Sequence, residues 1–387
     1  MKKITATEVR DTVAELMPLV LPLIEAVGGH PEVGYEEVLA AELQEKFLAE
    51  QGFRVESGVA GKATAFRGEY EVVAAPEIPA AAIFTEYDAL PAPLGHACGH
   101  QLIMGSGLLA LAAACRLMER YRIPGKLLAV GSPAEEQQGG KVELLNAGCL
   151  DGVGAAFLSH PFYKTGVTRM LLAVSRFDVE FFGRSAHAST NPAAGVNALD
   201  AMNLFFAGLN AWRQQLPATA RVHGIITEGG KAANVIPDYT SGFFYVRSMD
   251  NATQQAMERR FADIVQGAAL MTGCEFKLTP REHNYTAGGA HPALAARAEA
   301  LFEEFGMPFD HAVAEPLSTD FGNVCDRIPG VNLFFDVTGG VQLALHSLDF
   351  KAAAADGAAL AGTPDIAAVL TRLALDYLTD PALRAAL

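Results

Sequence analysis

One pattern constrains this chain more than any other. Short apolar runs alternate with helical stretches, and several of the runs end in polar residues able to carry chemistry. Ala81 to Thr85 is such a run, followed by helical spacing from Leu102 to Tyr121. Lys126 to Gly131 and Val153 to Leu158 repeat the theme, and Gly330 to Phe335 returns to it late in the chain. Helical spacing also covers 8–28 and 36–52. Strands that are apolar on both faces need cover on both faces. The pattern therefore predicts an α/β fold, a mixed, mostly parallel sheet with helices on each side. Ligands of such sheets gather beyond the carboxyl ends of the strands.

Near residue 170 the pattern changes. Leu171 to Phe182 alternates like a half-exposed strand, and a helix is expected over Gly195 to Gln215. Strands are expected at Val222 to Thr227 and Thr240 to Arg247, then a helix at Ala252 to Met271 and a strand at Glu275 to Thr279. The order β-α-β-β-α-β predicts a ferredoxin-like α+β unit. It reads as an insertion, 170–285, within a discontinuous domain made of 1–169 and 286–387.

Charge and cysteine usage narrow the function classes. The formal net charge is −15 and no Lys/Arg cluster occurs, which argues against nucleic acid as a partner. The five cysteines, Cys98, Cys115, Cys149, Cys274 and Cys325, are scattered and form no CxxC pair. They predict a reducing, cytoplasmic setting over a disulfide framework. The N-terminus lacks the apolar core of a signal peptide. The longest apolar stretch, around Leu108 to Cys115, reads as too short to span a bilayer, so no membrane association is expected.

Four clusters carry chemistry. TEYDALPAPLGHACGH (85–100) follows a predicted strand and packs His96, Cys98 and His100 into five residues. On an extended segment alternate side chains point the same way, so Cys98 and His100 can offer a thiolate and an imidazole to one metal. A buried cysteine with two incidental histidines is the bland alternative. SPAEEQQGG (132–140) places Glu135 and Glu136 after another strand, where either a metal or a solvated helix start accounts for paired carboxylates. LSHP brings His160 and LALHSLDF brings His346. A lone histidine is more often structural. The weight lies in the convergence of thiolate, imidazole and carboxylate on separate strand ends.

Together with HPEVGYEE (30–37), GRSAHAS (183–189), GGKAANVIPD (229–238) and STDFGNV (318–324), these motifs run in order along nearly the whole chain. They resemble the amidohydrolase branch of the aminoacylase and carboxypeptidase-G class of di-metal peptidases, and within it the p-aminobenzoyl-glutamate hydrolase subunits and Xaa-Arg dipeptidases. The resemblance implies metal ligands at Cys98, His100, Glu136, His160 and His346, with Cys98 bridging two ions. It implies a general base at Glu135 and a supporting carboxylate at Asp88. It makes the inserted unit a lid and dimerisation domain, so that the chain is expected to form a homodimer. His187 would then steady the oxyanion from the partner subunit, and Asn234 and Arg247 would hold substrate. His223, on a strand of the same unit, is a further substrate-facing candidate with a surface role as its alternative.

The implied reaction is hydrolysis of the amide bond of an N-acyl amino acid or dipeptide by a metal-activated water. Thiolate and imidazole suit zinc, and the carboxylates admit manganese. Two departures stand out. Gln101 follows HACGH where Asn or Asp is usual, and STNPAAG after AHA differs from the family's shorter turn, which leaves substrate specificity open. His96, His283, His291 and His311 receive no role. Two rivals remain, a hydrolase with Cys98 as nucleophile and a non-catalytic dimeric binding protein on the same fold.

Overall fold

The computed structural model describes residues 4–136, 138–281, 283–313 and 317–387. It divides into two compact units, one formed by 1–170 with 289–387 and the other by 171–288.

The larger unit is built on an eight-stranded sheet. Its strands are β1 (Arg54–Ser57), β2 (Phe66–Glu71), β3 (Ala80–Thr85), β4 (Lys126–Gly131), β5 (Val153–Phe162), β6 (Gly166–Thr168), β13 (Asp310–Val313) and β14 (Gly330–Asp336), in the order β1-β2-β4-β3-β5-β14-β6-β13. The central four, β4, β3, β5 and β14, run parallel. Antiparallel pairing enters toward the edges, where β2 joins β4 and β6 joins β14. β3 is buried at all six positions, as strands covered on both faces must be. The fold is the mixed, mostly parallel sheet with helices that the sequence pattern predicts.

Helices α1 (Ala6–Gly29), α2 (Val38–Glu50), α3 (His100–Tyr121), α4 (Gly140–Asn146), α7 (Pro292–Glu304), α8 (Phe321–Cys325), α9 (Leu348–Ala354), α10 (Gly357–Thr379) and α11 (Pro381–Ala385) belong to the same unit. α3 lies against α1, α10 and the sheet. Gly107 allows the close approach, since a Cβ there would come within 2.7 Å of Thr85 Cγ2. The apolar run judged too short for a membrane is therefore part of a longer element. α1, α3 and α10 are each long and apolar enough to cross a bilayer by length and composition. The helix itself was expected from the spacing over Leu102 to Tyr121, but its length for a bilayer was judged on the unbroken run from Leu108 to Cys115 alone. In α3 the apolarity has a use within the fold, because nearly the whole helix is buried.

The smaller unit carries β7 (Ala173–Phe182), β8 (Ala186–His187), β9 (Arg221–Glu228), β10 (Val235–Ile236), β11 (Tyr239–Ser248) and β12 (Glu275–Pro280), with α5 (Ala198–Arg213) and α6 (Asn251–Thr272). Four of the strands form an antiparallel sheet, β12-β7-β11-β9. Residues of β11 alternate between buried and half-buried along its length, so one face is packed. Asn197 and Asp250 cap α5 and α6 by accepting from backbone N–H groups of the first turn. Between helices and sheet, Phe205 meets Phe244 and Phe261 edge-on at 4.9 and 5.2 Å. Truncating such a buried phenylalanine to alanine costs about 3–5 kcal/mol. The sequence did not disclose β8 and β10, two-residue strands that pair with each other and are too short to carry a period.

Candidate metal centre

The chemistry-bearing residues of the larger unit sit on loops and helix starts beyond the central strands. Cys98 and His100 follow β3. The extended segment expected for them is not what forms. Gly99 adopts the left-handed region at φ +77°, and His100 is the first residue of α3. A tight turn, rather than strand alternation, points the two side chains together, and glycine is the residue that takes that φ without strain. Glu135 and Glu136 occupy the turn between β4 and α4. His160 lies in the last part of β5. His346 is in the loop before α9, with φ +60° and its N–H donating to Ala97 O at 3.1 Å.

These residues converge. Cys98, His100 and His160 present ligand atoms within 4.8 Å of one another, and so do Cys98, Glu136 and His346. Cys98 is common to both sets. A third set joins His100 with Glu135 and Glu136. The two imidazoles inside the site are oriented from behind. His100 Nδ1 lies 2.9 Å from Asp88 Oδ1, and His160 Nδ1 lies 2.8 Å from the carbonyl of Pro161. Each therefore turns Nε2 toward Cys98 and the carboxylates. His160 Nε2 is 3.4 Å from Cys98 Sγ, and His346 Nε2 is 3.1 Å from Glu136 Oε2.

The residues fit a pair of divalent cations. Glu86, Asp88, Glu135 and Asp320 are all buried, with Lys141 the buried lysine among them. So many carboxylates out of water require positive charge. His100 Nε2 and Glu136 Oε1, 3.8 Å apart, are buried and have no hydrogen-bond partner among the described residues. The electrostatics of the buried groups carry the same signature. Burial and then the neighbouring carboxylates of Glu86, Glu136 and Asp320 push Glu135 well above the usual carboxyl range. Burial would lower His100, yet Asp88 and Cys98 together hold it well above its ordinary value. Burial and Glu136 raise the Cys98 thiol, and burial lowers His160 to about 4. Cys98 and His160 thus do not form a thiolate–imidazolium pair on their own.

Comparison with known proteins places this arrangement. A Xaa-Arg dipeptidase from Mus musculus is 35% identical over 374 residues, 93% of this chain and 86% of the relative. A p-aminobenzoyl-glutamate hydrolase subunit from Escherichia coli is 32% identical over 269 residues, covering 65% of this chain and 55% of that protein. Residues 173–271 match the model of the M20 peptidase dimerisation domain. The chain belongs to the M20 peptidase family. A dinuclear metal-binding M20 peptidase from Bacillus subtilis shares the fold at TM-score 0.71 and 21% identity, over 94% of this chain and 99% of that one.

The remaining candidate residues of this M20 peptidase lie in the smaller unit. His187 is exposed on β8, paired in register with Val235, and the N–H of Ala188 donates to Asn234 O at 3.0 Å. His187 and Asn234 are thus neighbours on one short ribbon. Ser189 N and Thr190 N each donate to His187 Nδ1 at 3.3 Å, which leaves the neutral ring's proton on Nε2. His223 stacks on Tyr245 at 5.3 Å with planes 8° apart, and Arg247 lies over the same ring at 5.1 Å.

Sequence reasoning passed over four buried groups. Glu86 lies inside the quoted 85–100 motif, two residues before Asp88. Lys141 directly follows SPAEEQQGG, and Asp320 lies within STDFGNV. Lys141 Nζ is 2.6 Å from Glu86 Oε1 and 2.7 Å from Asp320 Oδ1. Glu37, the last residue of HPEVGYEE, accepts from Ala134 N at 2.8 Å and from Thr64 Oγ1 at 2.9 Å. It thereby holds the turn that carries Glu135. The available signal was their place inside motifs, since no spacing rule links 37, 86, 141 and 320.

Proposed function

We propose that this M20 peptidase hydrolyses the amide bond of an N-acyl amino acid or dipeptide with two divalent cations bound in the larger unit. One observation carries the reading. Two ligand sets, one thiolate–imidazole–imidazole and one thiolate–carboxylate–imidazole, share Cys98 beside Glu135. When bound, the cations supply Lewis acidity and make water a nucleophile near neutral pH. The rest falls to the chain's own residues. Glu135 accepts the proton of the attacking water and returns it to the leaving amine. Asp88 and the Pro161 carbonyl keep the imidazoles of His100 and His160 in the tautomer that offers Nε2. Asn234 and Arg247 hold the substrate, with His223, which shares the Tyr245 ring with Arg247, as a further contact, and His187 donates from Nε2 to the oxyanion.

Thiolate and imidazole favour zinc, with manganese admitted by the carboxylates. The match of the smaller unit to a dimerisation domain supports a homodimer, and five free cysteines support work in the cytoplasm. The place of Cys98 in two candidate ligand sets speaks for a metal-bound sulfur over a free nucleophile. The test is turnover by the purified, metal-loaded chain on a panel of Xaa-Arg dipeptides, acyl amino acids and p-aminobenzoyl-glutamate, read by release of the free amine. Cleavage unaffected by exhaustive chelation would refute the mechanism, and no cleavage of any member would favour a binding protein.

A further inference from the structure

We propose that Lys141 and Asp320 are positioning residues for Glu135, together fixing the turn on which that carboxylate is presented to the metal centre. The inference rests on the reading of Glu135 as the base. It adds two residues outside the five expected ligands, and Asp320 belongs to none of the candidate ligand sets.

Lys141 is the second residue of α4 and is completely buried. A lysine in that position has to be paired. Its Nζ is 2.7 Å from Asp320 Oδ1 and 2.6 Å from Glu86 Oε1, and its backbone N donates to Asp320 Oδ2 at 2.9 Å. Both oxygens of Asp320 are thus spent on one residue, one on its side chain and one on its main chain. Asp320 is itself completely buried, directly before α8. The grip ties the start of α4 to the start of α8 and, through Glu86, to the end of β3.

The grip reaches Glu135 through the backbone. A Cβ on Gly140 would stand 1.9 Å from Pro133 O, so α4 begins directly against the residues that precede the base. Gly139 N donates to Ala134 O at 2.9 Å and closes the turn. Ala134 lies in the left-handed region at φ +59°. A residue with a side chain keeps that conformation only where its surroundings impose it. Here the turn is held at both ends, by Glu37 on Ala134 N at 2.8 Å and by Asp320 on Lys141 N. Glu135 is the next residue and takes its direction from Ala134. Glu136 has a hold of its own, since its N–H donates to Asp88 Oδ2 at 2.9 Å. Loosening Asp320 should therefore disturb the base more than the ligand. A pin for stability alone would need only the side-chain ion pair. The second oxygen of Asp320, on the main chain of Lys141, fixes where α4 begins.

The experiment compares D320N with wild type as metal-loaded enzymes, on a panel substrate that wild type cleaves, and reads kcat, KM, metal content and Tm. Asparagine keeps the shape and one acceptor, and it leaves Lys141 paired with Glu86. The expected result is the metal content and KM of wild type with kcat lower by about 10- to 100-fold, the scale of a misplaced catalytic group. Should D320N not fold, G140A decides. It keeps all three charges and presses only on Pro133 O, and the same selective fall in kcat is expected. A lowered Tm with unchanged kcat reduces the grip to a structural pin and overturns the inference. Loss of an ion together with kcat moves its action to Glu136 and overturns it as well. Both outcomes leave the proposed reaction standing. A wild-type chain that cleaves no member of the panel overturns that reaction and this role with it.

Discussion

Asp88 and His100 are locked face to face inside the larger unit, Oδ1 to Nδ1 at 2.9 Å with both side chains fully buried. The other oxygen of Asp88 accepts from the backbone N of Glu136, also at 2.9 Å. One carboxylate therefore sets a member of each ligand set. Burial raises the Asp88 pKa, but His100, the Glu136 N–H and Lys141 outweigh it and hold the group below its usual range. Asp88→Ala should loosen both ions. The expected loss of metal affinity is about 10- to 100-fold, measured by chelator competition. Unchanged affinity would mean that the imidazole of His100 is oriented by packing alone.

The ligand inventory predicts stoichiometry. Metal analysis of the purified chain by plasma mass spectrometry should return two divalent ions per chain. Exhaustive chelation should abolish turnover, and zinc or manganese should restore it. One ion per chain at full activity would retire the shared role of Cys98.

The neighbouring glutamates should separate by function. Glu136 reaches both sets, its Oε2 3.1 Å from His346 Nε2 and its Oε1 3.8 Å from His100 Nε2. Glu135 Oε2 stands 4.0 Å from His100 Nε2. Glu136→Gln should lose metal. Glu135→Gln should retain it and lose about 10²- to 10⁴-fold in kcat. Metal analysis beside steady-state kinetics decides, and the reverse pattern would exchange the two roles.

Glu37 predicts a pH dependence of the metal-free protein. Burial, then the charge of Asp88, raises it from an ordinary 4.5 to about 7. The folded state therefore binds more protons than the unfolded state between those values. Stability is highest below about pH 4.5 for this group and falls as pH rises through 7. The shift corresponds to about 3 kcal/mol at most. Glu37→Gln can still accept from Ala134 N and can donate to Thr64, so its urea stability should decline less than wild type between pH 5 and 8. Parallel curves would assign the pH dependence elsewhere.

Much of this was legible in the sequence because strand-end chemistry is local. The runs around β3, β4, β5 and β14 announce themselves by length and apolarity, and Cys98, His100 and Glu136 follow two of them at short range. Less local features were hidden. Strand β1 at the sheet edge and its neighbour β2 have mixed exposure, so they lack the buried-strand pattern. The clamp of Glu86, Lys141 and Asp320 spans 234 positions in the chain, since its ends are residues 86 and 320. Only packing brings it together. The Cys98–His100 pairing was expected for the wrong geometric reason, a strand alternation where a left-handed glycine does the turning.

His187 supplies the last prediction, which concerns assembly. It lies in the smaller unit, whereas Cys98, His100, Glu135, Glu136, His160 and His346 all lie in the larger one. Its Nδ1 is occupied by the N–H groups of Ser189 and Thr190, so the exposed ring presents Nε2–H as a donor. That geometry serves a turn and also leaves a hydrogen bond to give away. If the donor acts across a dimer, His187→Ala should lose about 10²- to 10³-fold in kcat, with metal content intact. Mixed with Glu135→Gln, it should then regain activity. A heterodimer has one site that combines an intact Glu135 from one subunit with an intact His187 from the other. With free exchange of equal amounts, roughly half the dimers are mixed and each has one good site of two, so about a quarter of wild-type activity per site should return. The measurement is turnover of the mixture after subunit exchange has been verified by mass tagging. Exchange without recovery would place the action of His187 within its own chain, or reduce it to the turn that its Nδ1 already caps.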